Sequence, residues 1–262
     1  MAIMDRKPTV TWGRVTLGEG MPKIIVPVMG GDLAAIRASA ARAAQAGADI
    51  IELRIDSLSA MPAAEEAVAA CRAVRDEAGE IPLLFTLRTE RDGGAGSADA
   101  AAYEALLLSV AAAGCCEAID CELSVGDEAF ERVVRAAHAS GVSVIGSSHA
   151  FEGLTDMRVA AGWLLHQRAL GADVCKVAVM VRDELEALDA SRAMLEAAKG
   201  LDAPVVAIAM GSAGVLSRIG AQSMGSCMTF GTAGEASAPG QIDARTLRVL
   251  LSAVHGALSA GE

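Results

Sequence analysis

The sequence predicts a (β/α)8 barrel closed at its N-terminal end by a short β-hairpin. Three observations predict it. Eight apolar runs alternate with eight Ala-rich stretches of helical spacing; hydrophobic residues make up 53% of the chain and aromatics only 3%; and the 262-residue length suits a fold that needs roughly 250. A core so poor in rings is aliphatic, which fits parallel strands covered by helices on both faces. A β-sandwich draws more on inward aromatics and on turn signals every roughly 8–12 residues, and neither pattern is present. No linker or low-complexity break divides the chain, so residues 1–262 read as one domain.

Residues 9–20, TVTWGRVTLGEG, alternate as a hairpin that would plug the barrel's lower mouth. The barrel strands then fall at 23–29, 49–56, 82–88, 117–123, 143–149, 173–180, 204–210 and 227–231. Helices are expected near 32–46, 63–78, 98–113, 127–140, 156–170, 183–199, 215–224 and 242–258. Several helix-to-strand turns carry the Gly that ends a helix in a left-handed residue, as in AGAD at 46–49, SGVS at 140–143 and LGAD at 170–173. An open doubly wound sheet is the competing arrangement. It has fewer units and often a G-x-G-x-x-G turn after its first strand, which this chain lacks.

The formal charge of −11 is spread without any Lys/Arg cluster, so neither nucleic acid nor an anionic membrane is an expected partner. An anionic metabolite remains compatible, provided a few Arg side chains converge locally. The cysteines at 71, 115, 116, 121, 175 and 227 form no C-x-x-C or zinc-finger spacing and read as reduced thiols in a cytoplasmic protein. The opening MAIMDRKPTV has no apolar signal core, and no run reaches 18 uninterrupted apolar residues.

Barrel interiors are normally layered with branched apolar residues, and several strands break that rule near their C-terminal ends. The second barrel strand ends Glu52-Leu53-Arg54-Ile55-Asp56, the third reaches Arg88, the fourth carries Asp120 and Glu122, the fifth ends in His149, and the sixth carries Lys176. Side chains alternate along a strand, so these polar residues share the inward face while Leu53, Ile55, Leu87 and Leu123 pack against helices. A single buried ion pair is often scaffold. Five converging strands supplying acid, base and guanidinium groups are a site.

Lys176 lies within DVCKVAVM, where apolar surroundings and a neighbouring cation would yield the neutral amine that attacks carbonyls. His149 ends the adjacent strand and is suited to carry protons near neutral pH. His138, His166 and His255 fall on helices and are expected at the surface. No H-E-x-x-H, Walker or G-x-S-x-G motif is present, so no metal or cofactor is expected. The loop at 231–241 is long and rich in small residues, which suits a lid bringing Ser237 and Gln241 over a ligand. Arg218 offers a two-point fork for a carboxylate.

The segments PKIIV, IIELRID, PLLFTLR with its following DGG, AIDCEL, SSHAF, ADVCKVAVM, GVLSRIG and FGTAGEASAPGQI run in order from 22 to 242. As a series they resemble the type I 3-dehydroquinate dehydratases, the Schiff-base-forming enzymes of the shikimate pathway. The resemblance implies conversion of 3-dehydroquinate to 3-dehydroshikimate plus water in a homodimer, without metal or cofactor. It assigns imine formation to Lys176 and proton transfer to His149. Glu52 and Arg88 would hold ring hydroxyls with Arg54 beside them, and Arg218, Ser237 and Gln241 would bind the carboxylate end. Asp92, Asp120 and Glu122 would support these groups. Two positions depart from the family pattern: Pro27 stands where a small hydroxyl residue is common, and Asp92 where glutamate is. The shorter Asp92 arm would need a loop adjustment or a water to reach His149. The alternatives are a class I aldolase-type lyase, with Gly211-Ser212-Ala213-Gly214 as phosphate cup, and a catalytically silent quinate- or shikimate-sensing barrel. Arg218 with SAPGQ fits a carboxylate better than a phosphate, and retention of both Lys176 and His149 argues against a silent sensor.

Overall fold

The computed structural model describes residues 8–234 and 237–260. β1 (Val10–Trp12) and β2 (Val15–Leu17) pair antiparallel around Gly13, whose φ of 52° supplies the left-handed turn that a two-residue hairpin needs. Eight parallel strands follow: β3 (Lys23–Val28), β4 (Ile50–Arg54), β5 (Leu83–Thr86), β6 (Ala118–Glu122), β7 (Ser143–Ala150), β8 (Val174–Met180), β9 (Val205–Met210) and β10 (Met228–Thr232). They add in chain order from β3 to β9, and β10 returns to pair with β3. Between β9 and β10 the ladder narrows to a bridge from Val205 to Ser226, where the Cys227 N–H donates to the Val205 carbonyl at 2.7 Å. The curled sheet with its helices is the expected (β/α)8 architecture.

The helices are α1 (Leu33–Gln45), α2 (Ala64–Ala78), α3 (Ala100–Ala113), α4 (Asp127–Ala139), α5 (Arg158–Ala169), α6 (Glu184–Gly200), α7 (Val215–Ile219) and α8 (Ala244–Ser259). Asp32, Asp99, Asp183 and Asp243 start four of them by accepting backbone N–H groups of the first turn, satisfying donors that the helix itself leaves unpaired. The acids that follow the helix-ending glycines have a second use. Asp49 accepts the Ile24 N–H and Asp173 the Val144 N–H, both at 2.7 Å, so each ties the start of its own strand to the strand before.

Several element ends shift by a residue or two from expectation, the strand at 82–88 stopping at Thr86 among them, and three differences change the local structure. The run at 49–56 stops as a strand at Arg54 and turns through a 3-10 helix, Ile55–Ser57, because Asp56 folds back onto the Arg54 guanidinium. The helix expected near 215–224 is only α7, ending before Gly220. A two-residue strand, β11 (Ile242–Asp243), pairs with β10 ahead of α8, where the pattern suggested helix alone.

Alternation divides the core in two. Leu53, Ile55, Leu87, Cys175 and Val177 face outward against the helices. Ile25, Ile50, Leu84, Ala118, Ile145 and Val174 face inward and pack with Trp12 and Leu17 of the hairpin. These inward residues lie toward the strand starts, so the hairpin fills the N-terminal mouth and leaves the C-terminal mouth for polar side chains. Among the described residues no helix is long and apolar enough to cross a membrane.

Candidate active site

Arg88 is the hub of the C-terminal mouth. It lies just past β5, 3% exposed, and donates through NH1 to Glu122 Oε1 and Ser147 Oγ, both at 2.9 Å, and through NH2 to Asp120 Oδ2 at 2.7 Å. A planar fork matches carboxylates arrayed around it better than a point charge would. Burial works against the charged guanidinium, but Asp120, Glu122 and Asp92 outweigh it and raise its pKa above the ordinary value. Asp120 also accepts from Ser147 Oγ at 2.6 Å, and burial that would raise its pKa is overcome by Arg88 and Lys176.

Lys176 projects from β8 into this cluster. Its Nζ lies 3.3 Å from Asp120 Oδ2 and 3.9 Å from Glu52 Oε1, and 4.8 Å from the centroid of the Phe230 ring. Glu52 is held in turn by Thr86 Oγ1 at 3.0 Å. The strand sequence around Lys176 suggested apolar surroundings and a neighbouring cation. The amine's contacts are instead two carboxylates and a ring face, because Val174, Val177 and Val179 occupy other levels or the opposite side of the strand.

In the β7–β8 register Ser147 is opposite Lys176 and His149 opposite Ala178, so the imidazole sits one inward step closer to the mouth than the amine. His149 Nδ1 is 3.1 Å from Asp92 Oδ2, which leaves Nε2 for the cleft. Burial, with the charges of Arg88, Lys176 and Arg54 adding to it, holds the imidazole well below its ordinary pKa, so it is a neutral base at pH 7. Burial and the nearby Glu122 push the Asp92 carboxyl up to about 6 against the pull of Arg88. The short Asp92 arm reaches His149 directly, without a water. The chain after β5 coils into a 3-10 turn, Glu90–Asp92, followed by Gly93 at φ 77°. Gly94 lets the loop fold back, since a Cβ there would stand 2.1 Å from the Arg88 carbonyl oxygen.

Arg218, on α7, is 1% exposed and donates from NH2 to the Pro239 carbonyl at 3.0 Å, while its buried Nε has no partner among the described residues. Among the described residues no carboxylate lies within ion-pair distance of it. Burial pushes its pKa down to about 10, which leaves it charged at neutrality. Ser237 and Gln241 bond each other twice, Ser237 N–H to Oε1 and Nε2 to Oγ, both at 2.9 Å. Glu235 and Ala236 of the same loop lie outside the described residues.

Glu52, Arg54, Arg88, His149, Lys176, Arg218, Ser237 and Gln241 all line one cleft that holds about 520 Å³ of empty space, the solvent at its open mouth included. Asp92, Asp120 and Glu122 stand behind it, each bonded to or beside a lining residue. Pro27 pairs in register with Glu52 and offers no side-chain donor. The other histidines are remote, His138 on Asp173, His166 on Asp127 and His255 on Gln222. Sequence reasoning missed Phe230, Met210, Ile208 and Phe151 as cleft walls. The alternation that placed Lys176 inward would have found Phe230; Phe151 comes from the turn after β7, which no strand period reaches.

A cleft holding a buried amine, a neutral imidazole and a guanidinium without a carboxylate partner among the described residues suits carbonyl chemistry on an anionic substrate. The family model of type I 3-dehydroquinase matches residues 24–257. A 3-dehydroquinate dehydratase of Escherichia coli O1:K1 is 35% identical over 250 residues, covering 95% of this chain and 99% of the relative. A crystal structure of the type I 3-dehydroquinate dehydratase of Clostridium difficile with covalently modified comenic acid superposes with a TM-score of 0.92 at 35% identity, covering 96% of this chain and 99% of that one. The 3-dehydroquinate dehydratase of Geobacillus kaustophilus also gives 0.92, at 30% identity over 97% and 99%. With barrel order, cleft and matched length in agreement, the chain belongs to the type I 3-dehydroquinase family.

Proposed function

We propose that the chain dehydrates 3-dehydroquinate to 3-dehydroshikimate through an imine on Lys176, with His149 carrying protons. The observation that carries the reading is the pairing, in one cleft, of a buried lysine amine with a buried Arg218 that has no carboxylate partner among the described residues. A substrate bearing both a ketone and a carboxylate answers both groups.

Lys176 first yields a proton to neutral His149. The free Nζ attacks the ring ketone, His149 returns the proton to the carbinolamine hydroxyl, and loss of water leaves a protonated imine that acts as an electron sink. The carboxylates of Asp120 and Glu52 that face the ammonium also face the iminium, so its positive charge stays compensated. Neutral His149 removes the proton from the adjacent carbon, and the electron pair forms an enamine. The enamine expels the β-hydroxyl, which takes the proton back from His149 and leaves as water. Hydrolysis of the product imine frees Lys176. Arg218 grips the carboxylate, and residues 231–241, bonded to Arg218 through Pro239, act as a lid. Amide exchange in that loop should slow when product is added; unchanged exchange would remove the lid. We place the enzyme in the cytoplasm as a homodimer, a setting supported by family resemblance and by six free cysteines, and light scattering checks the dimer.

Borohydride during turnover reduces an imine but not an ion pair. It should inactivate the enzyme and leave a ligand-sized mass on the Lys176 peptide, not on those of Lys7, Lys23 or Lys199. Labelling of another lysine, or near-parental turnover by Lys176→Ala, would overturn the mechanism.

A further inference from the structure

Asp56 does not line the cleft, yet four hydrogen bonds converge on its carboxylate. Oδ1 accepts from Arg54 Nε at 2.8 Å and from the Arg88 backbone N–H at 3.2 Å. Oδ2 accepts from Arg54 NH2 at 2.7 Å and from the Ala95 backbone N–H at 3.2 Å. A carboxylate has about four lone-pair directions, so all are in use. The residue is 7% exposed. Burial would push its carboxyl up, but the hydrogen bonds and charge of Arg54 outweigh this and keep it ionised at neutral pH.

The two kinds of donor lead to different parts of the site. Arg54 is gripped along its Nε–NH2 edge, which leaves NH1 without a partner among the described residues at the wall of the cleft. Arg88 and Ala95 are the two ends of the loop that carries Asp92. The neck between them is closed further by the Gly96 N–H donating to the Arg88 carbonyl at 2.9 Å. One anion therefore fixes the aim of a cleft guanidinium and the base of the loop that delivers a carboxylate to His149.

We propose that Asp56 is a positioning residue for the dehydration, aiming Arg54 at the substrate and, through the loop neck, Asp92 at His149. The proposal rests on the reading of His149 as proton carrier. It predicts a division of labour: the Arg54 arm affects substrate binding and hence KM, and the Asp92 arm affects proton transfer and hence kcat.

Asp56→Asn in the full chain tests it. The variant keeps the shape but puts an NH2 where Oδ2 accepted two bonds. KM should rise several-fold, and kcat should fall roughly tenfold, since displacement of a catalytic group by about 1 Å can cost up to 10²-fold. The decisive measurement is the same substitution in two backgrounds. With Asp92→Ala already present, the kcat effect of Asp56→Asn should vanish and the KM effect persist. With Arg54→Ala present, the reverse is expected. Circular dichroism and thermal melting set the folded fraction, and Asp56→Glu, which keeps the charge but moves it by one methylene, is a second variant read in the same backgrounds. Equal effects in both backgrounds, or unchanged kinetics per folded molecule, would overturn the positioning role. Near-parental turnover by His149→Ala would instead overturn the proton-carrier reading, whatever the cycle gives.

Discussion

Oδ2 of Asp92 lies 3.1 Å from Nδ1 of His149, with both side chains buried, so the loop after β5 and the end of β7 are joined by one hydrogen bond. The carboxylate holds the tautomer that keeps Nε2 unprotonated toward the cleft. Asp92→Asn should lower kcat by about tenfold, less than the typical 10²–10⁴-fold of a general acid–base group because His149 itself remains, with KM nearly unchanged. Steady-state kinetics checks it, and a rise in KM alone would place Asp92 in binding instead.

The same pair sets two pH dependences. His149 is held well below 6.5, so the acid-side fall of kcat/KM should lie below pH 6.5. A limb centred above 6.5 would contradict the neutral, desolvated imidazole. Asp92 has the opposite direction, raised from 3.8 to about 6, so between those values the folded state holds a proton that the unfolded chain has lost. The stability it contributes is full below 3.8 and is lost as pH rises through about 6. Denaturant unfolding across that window should show this decline, and Asp92→Asn should remove it.

Among the described residues Arg218 donates only to the Pro239 carbonyl, and its buried Nε has no partner. Arg218→Lys preserves charge but loses the planar fork, and a charge-assisted hydrogen bond contributes about 1.5–3 kcal/mol, so product affinity should drop roughly 10- to 100-fold. Calorimetric titration with product reads it directly. Parental affinity in the variant would move the carboxylate site to Arg54.

Trp12 is 2% exposed at the far end of the barrel, and its indole N–H has no partner among the described residues. Trp12→Ala should cost about 3–5 kcal/mol of stability through lost burial and the cavity left behind. Trp12→Phe should cost less, since it also removes the orphan donor. Thermal unfolding measures both, and kcat of either variant should match the parent because the hairpin lies opposite the cleft.

Much was legible from periodicity alone. Two-residue alternation put Glu52, Asp120, Glu122, His149 and Lys176 on the inward face, and helical spacing with caps located the eight α-helices of the described residues, because strand and helix geometry is local. Periodicity likewise predicted the hairpin, and the mouth it fills follows from which inward residues are apolar.

Only the tertiary structure decided who partners whom. The strand around Lys176 is apolar in sequence, yet its amine faces Asp120 and Glu52, which arrive from strands 56 and 124 residues away in the chain. Asp92 was expected to need a loop adjustment or a water to reach His149, and the 3-10 turn with Gly93 and Gly94 brings it into direct contact. That Asp56 grips Arg54 and the neck of the Asp92 loop together depends on the β4–β5 register. Which residues face inward follows from backbone geometry repeated every two or 3.6 residues, so the sequence alone determines it. Hydrogen bonds between side chains from different strands depend on register, loop path and burial, and these exist only once the barrel has closed.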